Sequence, residues 1–339
     1  MNPFELHTPS VFVVCSPFQA LCAIATIRQL KIEDYKLIAC FIKGDSRNEQ
    51  LKKIFADWCV DYVPRQLWRF PFNVVPSMIF ILHAIKHRHG KYNRLFLGDF
   101  RDHKLFYIGC RYVSDAASVV YLDDGNVTIS LLQGLIPDPA FGKDEMVIKT
   151  TSKFRKMDLF KHYLTIYNDI PNLKYNISRL DLSGIILNNQ GGDMARHGVY
   201  IVGTNIDPYC SVLNYSHEMF MKKLEKLIVG ICDEYPSEAI VYIPHGRDES
   251  NYARNLCLKY DCVFHKADVM VELELLNQPN TPMAIYGYTS SALYNLKKIF
   301  PHTRVINVLM DGDENNIFYR RYLMTSDYYM KNGIELIKL

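Results

Sequence analysis

Short β-branched runs alternate with helix-like segments from the start of this chain, and that alternation narrows the folds open to it more than any other feature. Val11–Cys15 reads as a strand, Phe18–Leu30 as a helix and Lys36–Ile42 as a strand. Arg47–Trp58 and Met78–His89 read as helices, and Arg94–Leu97 and Ser118–Leu122 as strands. Strands that take turns with helices build a parallel sheet with helices packed on its faces. The pattern falters between residues 150 and 197, where Ser183–Gly198 holds Asn188-Asn189-Gln190-Gly191-Gly192-Asp193 and reads as a linker.

A second alternating set then begins. Val199–Val202, Ala239–Ile243, Cys262–Phe264, Met283–Tyr286 and Arg304–Leu309 read as strands. Helices are expected at Ser250–Lys259, Asp268–Leu276 and Ser291–Phe300. Another should run from a Ser216 cap to Tyr235, with Phe220, Leu224, Leu227, Ile228 and Ile231 on one face. A chain of 339 residues is too long for one ordinary core and fits two domains of about 150 residues each. The expectation is an α/β protein of GT-B type, two Rossmann-like domains facing a central cleft. The first domain is placed at residues 1–190 and the second at 198–312. Residues 313–339 are expected to cross back onto the first domain, their Tyr and Phe content favouring packing over a loose tail.

Composition excludes several classes. At 49% hydrophobic and 22% charged the chain is globular, and its net charge of +3 is not the dense basic stripe of a nucleic-acid binder. Basic clusters at Lys86-His87-Arg88-His89, Lys153-Phe154-Arg155-Lys156 and Lys222-Lys223 read as solvated helix faces or as contacts with anionic lipid. The nine cysteines have no CxxC pair and no zinc-type spacing, so they read as reduced thiols in a cytosolic setting. Residues 1–10 do not read as a signal peptide, and the longest apolar stretch, Val74–Ile85, falls short of the roughly 20 residues a bilayer span needs. The chain is expected in the cytoplasm, free or peripheral at the inner membrane face.

Three constellations follow strands, where open α/β sheets hold their ligands. In Tyr121-Leu122-Asp123-Asp124-Gly125, two carboxylates end an apolar run and Gly125 permits a tight turn. Successive residues of an extended segment point opposite ways, so one carboxylate should be available to take a proton from a hydroxyl. In Ile243-Pro244-His245-Gly246-Arg247, a strand delivers a His to a turn, with Arg247 able to bind phosphate oxygens. In Gly287-Tyr288-Thr289-Ser290-Ser291, a strand ends in three hydroxyls at a helix start, a natural anion site. Each signal has a plain structural reading as a turn, a loop residue or a helix cap. Their shared placement at strand ends in both halves carries the case.

These motifs resemble the bacterial sialyltransferases, above all glycosyltransferase family 52, with relatives in families 38 and 80. Asp123-Asp124-Gly125 is similar to their acidic-acidic-Gly motif, His245 to the His of their His-Pro motif, and Thr289-Ser290-Ser291 to their Ser/Thr-rich motif. In this chain Pro244 precedes the His and Gly246 follows it. Cys15-Ser16-Pro17-Phe18-Gln19 resembles the opening strand-to-helix turn of family 52, and Leu97-Gly98-Asp99-Phe100-Arg101 a turn on its acceptor side.

The resemblance implies metal-independent, inverting transfer of sialic acid from CMP-sialic acid to a galactoside of a bacterial surface glycan (lipooligosaccharide, O-antigen or capsule), with a lipid-linked acceptor. Asp124 would be the general base. His245 would assist the departing phosphate, and Thr289, Ser290, Ser291, Gly246 and Arg247 would hold it. Gly203, Thr204 and Asn205 would add to the donor pocket. Asp123, Gly125, Ser16, Pro17, Gln19, Asp99 and Arg101 would support the acceptor side. Two alternatives stand beside this one: transfer of another CMP-linked acid sugar (Kdo, legionaminic or pseudaminic acid), and a non-catalytic two-lobed protein that binds a nucleotide or sugar.

Overall fold

The computed structural model describes residues 2–41, 44, 45, 47–64, 90–134, 162–167, 169, 170, 174–182, 198–248, 250 and 252–339. The expected helix at Met78–His89, the basic clusters at residues 86–89 and 153–156, and the linker at 183–197 lie outside the described residues. The chain divides into two compact units, Met1–Ile185 and Ile186–Leu339.

The first unit is built on a parallel sheet ordered β3-β2-β1-β4-β5-β6-β7. Its strands are β1 (Ser10–Val14), β2 (Tyr35–Phe41), β3 (Val60–Pro64), β4 (Tyr92–Leu97), β5 (Val113–Tyr121), β6 (His162–Thr165) and β7 (Asn176–Arg179). All five residues of β1 are buried, as a central strand covered on both faces requires. The edge strands β3 and β7 are mixed and partly exposed. Helix α1 (Pro17–Gln29) starts with Pro at its first turn and with Ser16 as cap, Oγ accepting from Gln19 N at 3.3 Å. Helices α2 (Arg47–Ile54), α3 (His103–Cys110) and α4 (Asn126–Leu132) complete the described part of this unit.

The second unit repeats the plan with the parallel order β10-β9-β8-β11-β12-β13. Its strands are β8 (Val199–Val202), β9 (Ile240–Ile243), β10 (Val263–Phe264), β11 (Ala284–Gly287), β12 (Arg304–Leu309) and β13 (Glu335–Lys338). Its helices are α5 (Ile206–Leu213), α6 (His217–Glu234), α7 (Tyr252–Lys259), α8 (Val271–Leu276), α9 (Ser291–Ile299) and α10 (Ile317–Lys331). Helix α6 is capped by Ser216, whose Oγ accepts from Met219 N at 3.1 Å, and it buries Phe220, Leu224, Leu227, Ile228 and Ile231, the stripe its sequence spacing predicts.

Residues 313–339 group with the second unit. β13 pairs with β12 from Ile306↔Glu335 to Leu309↔Lys338, which satisfies backbone groups that an uncovered β12 would leave unpaired. The aromatic residues of α10 face the same unit: Tyr329 Oη donates to Ser290 O at 2.8 Å, and Tyr328 Oη to Tyr294 Oη at 3.2 Å. The nine cysteines are free thiols, most of them buried. Among the described residues no helix is long and apolar enough to cross a membrane.

One buried charge organises the start of the first unit. Arg94 on β4 is 1% exposed and meets oxygens rather than a carboxylate. Its Nε donates to Ser10 Oγ at 3.0 Å, and its Nη1 to Pro3 O and Glu5 O at 2.9 Å each. Its Nη2 donates to Thr8 O at 3.3 Å. The guanidinium lies over Phe96, which stacks on Phe12 at 4.6 Å. Burial lowers its pKa to about 10. Arg94→Ala would leave several buried carbonyls without a donor. The expected loss is about 3 kcal/mol of unfolding free energy, measured by urea denaturation. A loss below about 0.5 kcal/mol would show that Arg94 does not hold residues 3–8 in place.

Candidate functional site

In a doubly wound sheet the crevice opens where chain connections leave in opposite directions, at the carboxyl ends of the central strands. In the first unit that point lies between β1 and β4. Gln19, on the first turn of α1, is 1% exposed and spans the gap. Its Oε1 accepts from Cys15 N at 2.8 Å, which fixes the amide so that Nε2 donates to Asp124 Oδ1 at 2.9 Å. Gly98, after β4, makes room for this bridge: a Cβ there would sit 2.3 Å from Gln19 Oε1.

Asp99 and Arg101 hold the other side of Asp124. Asp99 Oδ1 accepts from Arg101 N at 2.8 Å and Arg101 Nε at 3.0 Å, and its Oδ2 accepts from Nη2 at 3.2 Å. The same Nη2 donates to Asp124 Oδ2. Burial acts to lower the Arg101 pKa, but its bond to Asp99 and the charges of Asp124 and Asp99 outweigh burial and raise it. Arg101 is therefore a fixed cation, and both oxygens of Asp124 have positioned donors. Ser16 and Pro17 sit at the same strand end and serve the start of α1.

The adjacent carboxylates part ways. Asp123 is fully buried, accepting from Thr165 Oγ1 at 2.5 Å and Ile166 N at 2.8 Å, so it ties β5 to the turn after β6. Burial raises its pKa to about 7 against those bonds. Asp124 keeps 17% of its side chain exposed. Its pKa is raised to about 6, by burial first and by the charge of Asp99 second, while Arg101, Gln19 and Arg47 pull it down. Gly125 permits the split: its φ of 62° is the left-handed region, and it caps α4 directly. Thr128 on that helix accepts from Asp124 N at 2.9 Å.

Sequence reading missed a second clasp of the same design. Asp45 and Arg47 follow β2 as Asp99 and Arg101 follow β4. Asp45 Oδ1 accepts from Arg47 N and from Arg47 Nε, each at 2.9 Å. The sheet order sets the two clasps on either side of β1, and Arg47 acts on Asp124 through its charge. The signal was present as a repeated Asp-x-Arg at residues 45–47 and 99–101, but only the second stood in a recognised turn.

In the second unit the corresponding crevice lies between β8 and β11. Gly203 N donates to Ile243 O at 2.8 Å, and a Cβ on Gly203 would meet Tyr242 Oη at 2.6 Å, so the loop from Gly203 to Asn205 lies tight on the sheet end. Asn205 caps α5 by backbone position, without a side-chain bond to the helix. At the end of β11 the three hydroxyls are not equivalent. Thr289 is 2% exposed with φ 45°, held by its N–H to Asn307 Oδ1 at 2.7 Å. Asn307 Nδ2 donates in turn to Ser326 Oγ at 2.8 Å. Ser290 caps α9, accepting from Ala292 N at 3.3 Å. Ser291 begins that helix and is partly exposed. Asn307, Ser326 and Tyr329 support this turn from distant parts of the sequence, and no local motif marks them.

His245 follows β9. Its Nδ1 accepts from Arg247 N at 3.2 Å, so in the neutral ring the proton sits on Nε2, directed away from its own turn. Gly246 and Arg247 are exposed. A further His, His265, follows β10 and pairs with Glu274 of α8 at 2.7 Å. Sequence reading passed over it because the partners lie nine residues apart, on a strand end and a helix.

No protein-family model matches the sequence, and no curated protein is similar to it in sequence. Solved structures do share its fold. One is the α/β-galactoside α-2,3-sialyltransferase of the luminous marine bacterium Photobacterium phosphoreum, with TM-score 0.51 and 11% identity over 97% of this chain and 98% of that one. Another is a putative UDP-N-acetylglucosamine 2-epimerase from Listeria monocytogenes, with TM-score 0.52 and 9% identity over 96% of this chain and 88% of that one. A third is the S. aureus MnaA–UDP co-structure, with TM-score 0.51 and 9% identity over 97% and 91%. At these identities the likeness is one of fold, and with the two strand orders it establishes an α/β protein of GT-B type, built from two Rossmann-like units.

Proposed function

We propose that this protein is an inverting glycosyltransferase that moves sialic acid from CMP-sialic acid to a galactoside of a bacterial surface glycan. The observation that carries the reading is Asp124, a partly exposed carboxylate at a strand end, aimed by Gln19 and Arg101. The fold, shared with a sialyltransferase, supports it. The reading assigns the acceptor to the first unit and the donor to the second.

In this mechanism the acceptor hydroxyl oxygen attacks the anomeric carbon of the donor sugar. The bond from that carbon to the CMP phosphate breaks, and its electron pair leaves with the phosphate. Asp124 takes the proton of the hydroxyl. A base with pKa about 6 is mostly ionised at neutral pH and still basic enough to accept a proton as the oxygen becomes acidic in the transition state. His245 faces the leaving group through Nε2–H, a hydrogen bond that strengthens as charge builds on the phosphate. Ser291, the Ser290–Ser291 helix start and the loop from Gly203 to Asn205 supply further donors. Arg247 is exposed and able to close on an anionic donor.

Transfer from CMP-sialic acid to labelled galactosides, run with EDTA, tests the reading. Product supports it. Turnover of UDP-N-acetylglucosamine instead would move the protein to the epimerase chemistry of its other fold relatives. Asp124→Asn should lower kcat by about 10²–10⁴-fold while CMP affinity, measured by calorimetry, stays near wild type; parallel loss of both would remove the base role. The rate should rise through an acid limb near the Asp124 pKa of about 6, because the unprotonated form is active. Arg101→Gln removes a charge that lowers this pKa, so its limb should move to higher pH, and a shift to lower pH would contradict the assignment. His245→Asn should slow transfer by about tenfold or more, with a smaller defect for a donor whose leaving group needs no assistance. Equal defects for both donors would exclude His245 from leaving-group departure.

A further inference from the structure

Three cysteines gather in one part of the second unit, and the steps above use none of them. Cys232 lies near the end of α6, Cys257 on α7, and Cys262 in the turn that leads into β10. Cys257 and Cys262 are buried in the core of this unit. Cys232 packs against that core with part of its surface in solvent.

The backbone brings two of these thiols together. Helix α6 runs alongside the turn between α7 and β10: Glu225 Oε1 accepts from Lys259 Nζ at 2.5 Å and from Tyr260 Oη at 2.7 Å. Cys232 lies about two turns further along the same face of the helix. Asp261, with φ 53°, turns the chain tightly after Tyr260, and Cys262 N donates to Cys257 O at 2.8 Å. Cys262 Sγ lies 3.5 Å from Tyr260 O, and the thiols of Cys232 and Cys262 share a hydrogen bond. The face of α6 that holds this turn through Glu225 meets it again through Cys232.

Two thiols in contact, one reaching solvent and one buried, suit exchange with a disulfide. The Cys232 thiolate attacks one sulfur of a small-molecule disulfide. That S–S bond breaks, its electron pair leaves on the other sulfur, and a mixed disulfide remains on Cys232. Cys262, once deprotonated, attacks Cys232 Sγ and expels the second small thiolate. Two protein thiols are oxidised, the small disulfide is reduced to two thiols, and the protons pass to those thiols through water. Burial first, and the neighbouring Cys232 and Cys257 after it, raise the Cys262 pKa to about 12, so the second step is the slower one and quickens as pH rises. Cys257 is 0% exposed on its helix and has no access to the oxidant.

We propose that Cys232 and Cys262 form a reversible disulfide by exchange with a small-molecule disulfide of the glutathione type. The loop this bond closes carries β9, the His245 turn and α7, so oxidation tethers the segment that delivers His245 at both ends. In a reducing compartment such a bond is a transient redox signal and not a permanent staple. The proposal stands on the contact between the thiols and does not depend on the transfer reaction.

The test is equilibration of the whole reduced chain with graded ratios of oxidised to reduced glutathione, followed by alkylation and peptide mass mapping. A peptide linked through Cys232 and Cys262 should appear as the ratio rises and vanish with dithiothreitol. Cys59, an exposed thiol, should carry glutathione under the same conditions, which shows that the oxidant acts. Cys262→Ser should stop at a mixed disulfide on Cys232, and Cys232→Ser should give neither the link nor an adduct on Cys262. Oxidised wild type should melt above the reduced form by circular dichroism, a difference absent from both variants. The wild-type map decides by itself should a variant not fold. Modification of Cys59 without the linked peptide overturns the proposal. So does a link that forms only in urea, or one that joins Cys257 instead.

Discussion

A parallel strand buried on both faces must satisfy its backbone on both sides, and the rest of this protein follows from how β1 and β8 do so. Each pairs with the next strand in sequence on one side and with a later strand on the other. That arrangement sends the chain outward in both directions and leaves a crevice at the carboxyl ends of the central strands. In the first unit the crevice gathers side chains from Gln19 to Asp124. In the second it gathers turns from Gly203 to Ser291. The order of strands decides which residues become neighbours, and no local stretch of sequence contains that order.

Within the first crevice, electrostatics separates two residues of identical chemistry. Asp123 and Asp124 are adjacent and both have raised pKa values, yet they do different work. Asp123 meets neutral donors inside the core and fastens β5 to the turn after β6. Asp124 lies at the surface of the crevice, between a fixed amide and a fixed guanidinium. Its basicity is a balance: burial and Asp99 favour the protonated form, while Arg101, Gln19 and Arg47 favour the anion. The paired clasps, Asp45 with Arg47 and Asp99 with Arg101, hold both cations on their own carboxylates, so each guanidinium is oriented before any ligand arrives.

In the second unit the hydroxyl turn depends on a polar relay through the core. Asn307 on β12 joins Thr289 to Ser326 of α10, and Tyr329 of α10 holds Ser290. The terminal segment therefore shapes the crevice from behind. This explains why residues 313–339 belong with the second unit: their aromatic and hydroxyl groups find partners there. It also distinguishes three hydroxyls that look alike in sequence. Thr289 is buried, Ser290 is spent on the helix cap, and Ser291 begins the helix, partly exposed.

Much of the plan was legible in the sequence because it rests on local patterns. Buried parallel strands read as short apolar runs, and α6 shows its buried stripe at helical spacing behind a Ser cap. The turns that end β5, β9 and β11 announced themselves through carboxylates, a His and hydroxyls next to Gly. Strands β6 and β7 escaped notice because four mixed residues carry no periodicity. Burial and pairing were decided only by tertiary structure, since both depend on atoms distant in the chain. It chose Asp124 over Asp123 as the accessible carboxylate, brought the charge of Arg47 to bear on Asp124, joined His265 to Glu274, and placed β13 on β12. Sequence alone determined which chemistry stands at the strand ends. Folding determined which of those groups meet, because hydrogen bonds and desolvation act on distance in space and not on distance along the chain.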